Sequence, residues 1–250
     1  MSWQETASPN FQARHDERDE SAVVGVLEQL EATRERLERW FAPLPASVAV
    51  VLHPSAGQLT LAQPAVGLLR RLTTPAARRY VAGWFTTREV HVLAPRLLAA
   101  RASNVPGSHE MLALTPSALY AQLVVGRANP GLPPPFRPAT AARYARWAWL
   151  SAGAGQWFSG QTAHARPAIG RRLREGGEPS FPPGIRDAQL LGGSVLDLLV
   201  REEGEAAAAA LSVAELHDPR RLLEHAFRGR SFVHSAGAWR AHLARMAGGS

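Results

Sequence analysis

Nine histidines, at positions 15, 53, 91, 109, 164, 217, 225, 234 and 242, are the side chains best suited here to hold a transition metal or move a proton. No two stand four apart, so no helix offers the paired imidazoles of an HExxH turn. His109-Glu110 is the one His-Glu step, and the position that would complete it holds Ala113. The acidic run Asp16-Glu17 and Asp19-Glu20 has the oxygen donors of a hard-cation site, but carboxylates also favour the first turn of a helix, and a solvated helix start is the better reading. Gly193-Ser194 lacks the closing glycine of a nucleophile elbow and falls in a predicted helix. Gly153-Ala154-Gly155 has its third glycine misplaced for a dinucleotide loop and follows a helix rather than a strand. With no cysteine, disulfides, thiolate metal sites and cysteine nucleophiles are excluded. All 28 basic residues are arginine, which removes lysine bases and Schiff-base chemistry.

The elements that must position these residues belong to a globular chain of 250 residues, 46% hydrophobic and 20% charged. No apolar run approaches the ~20 residues that span a bilayer, and the polar start MSWQETASPNFQARHDERDE lacks a signal core, so a cytoplasmic protein with no membrane partner is expected. The formal charge of +7 invites a polyanion partner. The basic pairs Arg70-Arg71, Arg78-Arg79, Arg171-Arg172 and Arg220-Arg221 are scattered, however, as on solvated helix faces, and no nucleic-acid partner is expected.

Val23, Val26, Leu27, Leu30, Leu37, Trp40 and Phe41 recur at helical spacing and predict a helix over Ala22 to Phe41, closed by Pro43 and Pro45. Its stripe is too short for a lasting coiled coil, so it should pack on the rest of the chain. Val48 to Leu52 reads as a buried strand, and Glu89 to Leu93 as a strand with one wet face. Between them a helix is predicted over Ala65 to Trp84, with a break at Thr74-Pro75. From Leu114 onward only helices are expected: one opening at Thr115-Pro116 and ending at Gly126, and one carrying Trp147, Trp149 and Trp157 after the stiff stretch Pro130 to Pro138. Others follow at Asp187 to Glu203, Glu205 to Val213, Pro219 to Phe227 and Ala236 to Met246.

Trp149-Leu150-Ser151-Ala152-Gly153 resembles the W-L-x-E-G segment of gluzincin metallopeptidases, the peptidase MA-like, zincin-type superfamily. The likeness extends upstream to the two strands, which resemble that group's small sheet, and downstream to Gly192 through Gly204, Ala226 to Gly229 and Trp239 to Leu243. It covers Val48 to Leu243 through short motifs whose order carries most of the weight. The resemblance implies an α+β, mostly helical, zincin-like fold: an N-terminal helix and small mixed sheet over residues 1–110, then a helical subdomain over residues 111–250. In such peptidases an HExxH helix and a later glutamate bind zinc. Here Ala118-Leu119-Tyr120-Ala121-Gln122 stands over the first motif, or Ser117 to Ala121 one register earlier, and Ala152 stands at the third ligand. Neither register holds a histidine or glutamate, so catalytic residues, metal and cofactor are all expected to be none.

The expectation is therefore a degenerate gluzincin whose cleft, lined by Ala118, Tyr120, Gln122, Trp149, Ala152 and His91, holds a peptide or partner protein without cleaving it. Residue by residue, the competing reading makes Tyr120 and Trp149 core aromatics and Gln122 a surface polar group. Two further readings remain: a hydrolase with unconventional or partner-supplied ligands, for which His109-Glu110 is the remnant, and an arginine-rich polyanion binder. Oligomeric state is not readable from the sequence.

Overall fold

The computed structural model describes residues 2–64, 79–136 and 141–248. The polar opening segment folds as an antiparallel hairpin, β1 (Trp3–Ala7) and β2 (Phe11–Asp16). Its sheet signal is the alternation in β2, where Phe11, Ala13 and His15 are buried while Gln12 and Arg14 are exposed. Helix α1 (Glu20–Phe41) buries the predicted stripe of Val23, Val26, Leu27, Leu30, Leu37 and Phe41 against the rest of the chain.

Strands β3 (Val48–His53) and β5 (Glu89–Leu93) form where expected. Between them lie a short helix α2 (Ala56–Leu61), capped by Ser55, and a strand β4 (Gly83–Phe85). The end of the helix predicted over Ala65 to Trp84 is thus corrected to a strand: apolar Trp84 and Phe85 pair with β5 through a tight turn at Thr86. Residues 65–78 of that prediction lie outside the described residues. The five strands order as β1-β2-β3-β5-β4, with β2, β3 and β5 parallel and the two edge strands antiparallel to their neighbours.

The remainder is helical among the described residues: α3 (Leu98–Arg101), α4 (Ser108–Ala113), α5 (Thr115–Ala128), α6 (Ala141–Phe158), α7 (Gln161–His164), α8 (Arg166–Glu175), α9 (Ile185–Glu203), α10 (Glu205–Val213), α11 (Pro219–Ala226) and α12 (Phe232–Gly248). The molecule is therefore α+β and mostly helical with a small mixed sheet, as the sequence implied. One cluster of buried apolar side chains runs from Phe11 to Met246, so residues on both sides of position 110 share it. Helices α6 and α9 touch backbone to backbone. A Cβ on Gly153 would lie 2.6 Å from the Gly192 oxygen, and one on Gly192 would lie 2.6 Å from the Trp149 oxygen. Helix α12 docks on α9 through Trp239 Nε1, which donates to Ser194 Oγ at 2.9 Å, and through the pair of His242 Nε2 and Asp197 Oδ2 at 2.9 Å.

Candidate functional site

The place of the expected chemistry is the pair α5 and α6. Proline at the second position of α5 has no amide hydrogen to lose there, so Thr115-Pro116 starts the helix without cost. Thr115 Oγ1 in turn accepts from the Ala82 amide just ahead of β4, tying the first turn of α5 to the sheet. From Thr115 to Gly126 every residue of α5 is buried, which fits its weak amphipathic pattern: a helix apolar all round belongs inside.

Five of the six residues predicted to line a cleft sit in this interior. Ala118, Tyr120, Trp149 and Ala152 are at most 1% exposed, and Gln122 is 3% exposed. The Tyr120 ring meets Phe11 edge-on with centroids 4.9 Å apart, and its hydroxyl accepts from Arg34 Nη1 at 3.2 Å. Burial pushes its phenol above the usual value, with Arg34 acting in the opposite sense. Trp149 is tilted against Trp147 with its indole nitrogen buried and without a hydrogen-bond partner among the described residues. Gln122 lies against α6: a Cβ on Gly155 would fall 2.7 Å from the Gln122 Cγ and Nε2 and from the Ala118 oxygen. The alternative that made Gln122 a surface group is corrected by this contact.

His91 is not brought together with the others. On β5, Val90 and Val92 face the core shared with α5, while His91 points through the opposite face of the sheet. There it stacks on Trp84 with centroids 3.8 Å apart and an interplanar angle of 12°. Its Nδ1 pairs with His53 Nε2 at 3.0 Å, and its Nε2 with Glu89 Oε2 at 3.3 Å. Burial, helped by the neighbouring His91, holds the His53 imidazole down at about 4, and burial also lowers His91 against the opposing pull of Glu89. Both rings are therefore neutral near pH 7. The wet face expected for this strand is reduced to Glu89.

A zinc ion does not fit the residues at the α5–α6 crossing. The positions that the resemblance sets against a ligand set hold Ala118, Gln122 and Ala152, with Leu119 set against the general base, and the helices are too close at Gly155 to admit a ligand side chain between them. His109 and Glu110 are exposed on α4. Among the described residues, no three His, Asp or Glu side chains gather in a group able to hold a metal ion.

Among the described residues, an open pocket lies beside the first turn of α5. A groove of about 320 Å³ is bounded by α1, the end of β5 and the start of α5, with Gly25, Val26, Gln29, Leu93, Leu112 and Pro116 among its walls. Sequence reasoning missed these residues; the signal was Gly25 itself, a poor helix former inside α1. A Cβ there would meet nothing within 4 Å. The walls are apolar apart from Gln29 and Thr115, so the groove suits an apolar side chain rather than a charged group.

The described arginines are distributed over many elements rather than one. Ten of them are paired with carboxylates distributed along the chain: Arg14, Arg18, Arg96, Arg146, Arg171, Arg172, Arg201, Arg228, Arg230 and Arg240. Among the described residues no helix is long and apolar enough to cross a membrane.

No protein-family model matches the chain, and no curated protein sequence matches it. Among solved structures it is similar to the crystal structure of a mutant M1 zinc metallopeptidase from Deinococcus radiodurans, at 14% identity and a TM-score of 0.47. That superposition covers 97% of this chain and 52% of the other, so the chain spans about half the length of that peptidase.

Proposed function

We propose that this chain is a non-catalytic, metallopeptidase-like protein that holds a peptide or a segment of a partner protein without cleaving it. The observation carrying this reading is the α5–α6 contact, where alanine, leucine and glutamine occupy the positions of ligands and base and pack without a gap at Gly155. Amide hydrolysis needs an activated water and a group to move its proton, within hydrogen-bond reach of one another. Ala118, Leu119, Gln122 and Ala152 supply neither. Binding asks for less: the groove beside α5 accepts one apolar side chain of a ligand, with the Gln29 amide at its margin to orient a polar neighbour.

The test pairs two measurements on the intact protein. A mixed fluorogenic peptide library, with and without added zinc, is expected to remain uncleaved, and an immobilised peptide array is expected to retain the protein on sequences bearing a large apolar residue. Gly25→Phe fills the groove without meeting a neighbouring atom at Cβ, so it should abolish retention while the protein stays folded. Cleavage above background, or retention unaffected by Gly25→Phe, would overturn the reading.

A further inference from the structure

The two edges of the sheet are finished differently. On the β4 edge, hydrogen bonds from Leu93 N to Ala82 O and from Thr86 N to Glu89 O fix which backbone groups turn inward. The alternate residues Val81, Gly83, Phe85 and Thr87 therefore direct their groups outward. That outer row is covered: the Val81 oxygen accepts from Arg101 Nη2 at 3.2 Å, the Thr87 oxygen accepts from Arg127 Nη2 at 3.1 Å, and Phe85 is buried beneath Phe136.

On the β1 edge the same parity argument gives the opposite result. The Glu17 amide donates to the Ser2 oxygen and the Ser8 amide to the Phe11 oxygen, so Gln4 and Thr6 turn their backbone groups toward β2. Trp3, Glu5 and Ala7 turn theirs away, and no described strand pairs with them. All three side chains are exposed on one sheet face, Trp3 at 47%. An unpaired row of this kind is a template for another strand.

We infer that β1 is a docking edge for an extended segment of another protein, added antiparallel to it, with a basic residue opposite Glu5. This surface is separate from the groove and goes beyond the reading above. The choice of occupant follows from charge. Two copies paired over the full length of β1 would set Glu5 of one copy against Glu5 of the other. A foreign strand with arginine or lysine at that position instead meets the free side of a carboxylate already held by Arg14 Nε at 3.3 Å. An aromatic or branched residue opposite Trp3 adds cross-strand packing on the same face.

The experiment measures amide hydrogen exchange, residue by residue, on the full chain with a short synthetic peptide alternating threonine and valine around a central arginine. At saturation the Trp3, Glu5 and Ala7 amides should slow by about tenfold or more while Gln4 and Thr6, already bonded to β2, stay unchanged. The same peptide N-methylated on the amides that face β1 should have no effect. Glu5→Arg should weaken the arginine peptide several-fold and favour a version with central glutamate. Unchanged exchange at Trp3, Glu5 and Ala7 would overturn the proposal, as would slowing produced by raising protein concentration alone, which would identify a second copy. Because Gly25→Phe leaves β1 untouched, failure here with intact groove binding would leave the peptide-holding reading standing.

Discussion

Gly155 and Gly25 are both glycines inside helices, and they serve opposite ends of one structural problem. Gly155 in α6 lets the backbone of α5 approach so closely that an added methyl group would overlap the Ala118 oxygen and Gln122. Gly25 in α1 has empty space where its side chain would be and lines the groove at the start of α5. A helical glycine costs about 1 kcal/mol relative to alanine, so each calls for a reason. At the crossing the reason is packing; beside the groove it is the space left free. The Ala118–Gln122 stretch of α5 is closed against α6, while the groove one turn away, beside Thr115 and Pro116, is open.

The largest expected effect comes from breaking the closed contact. Gly155→Leu must push α5 and α6 apart and should cost about 3 kcal/mol or more, read as a lowered denaturation midpoint or a failure to fold. Gly192→Ala, at the neighbouring α6–α9 contact where a Cβ would lie 2.6 Å from the Trp149 oxygen, should destabilise in the same direction.

Acidification comes next and probes the far face of the sheet. His53 sits at about 4 when folded, below its ordinary 6.5, so between these values the unfolded chain takes up a proton that the folded chain refuses. Stability should be complete above about pH 6.5 and fall steadily as the pH drops toward 4. Denaturant titrations across that window should show this slope, and His53→Asn should flatten it. A slope unchanged by the substitution would place the responsible group elsewhere.

Tyr120→Phe removes the hydroxyl that accepts from Arg34 and should cost about 1 kcal/mol while leaving peptide retention unchanged. Lost retention at unchanged stability would return Tyr120 to the binding surface and collapse the distinction between the closed contact and the open groove. The smallest effect is Gly25→Ala, which should raise stability by up to about 1 kcal/mol because nothing opposes the new methyl group.

How far the sequence carried can be judged at particular elements. Val48 to Leu52 was legible as an apolar run between prolines, and Glu89 to Leu93 as an alternation stopped before Pro95. The α1 stripe and six of the helices after Leu114 were legible from their period, whereas α7 and the arginine-rich α8 were not predicted. β1 was not: Trp3–Ala7 is an edge strand with neither face well buried, so its pattern is polar throughout. Gly83–Phe85 was absorbed into a helix because a short apolar run carries no period of its own. At the site, the types of residues were readable and their exposure was not. Trp149 and Tyr120 in a chain segment give no sign of whether α5 is central or superficial; that depends on α1, the sheet and α6 closing around it. His91 misled through pleat parity, since both faces of β5 are covered and alternation alone cannot say which face meets α5.

The central claim is that the α5–α6 crossing is a packing contact and holds no metal. Elemental analysis of purified, untagged protein for zinc, with thermal unfolding before and after chelator and added zinc, addresses it directly. The account predicts zinc well below one equivalent and an unmoved Tm. One tightly held zinc per chain, with a Tm that falls on chelation, would contradict it and return the nine histidines to scrutiny as ligands.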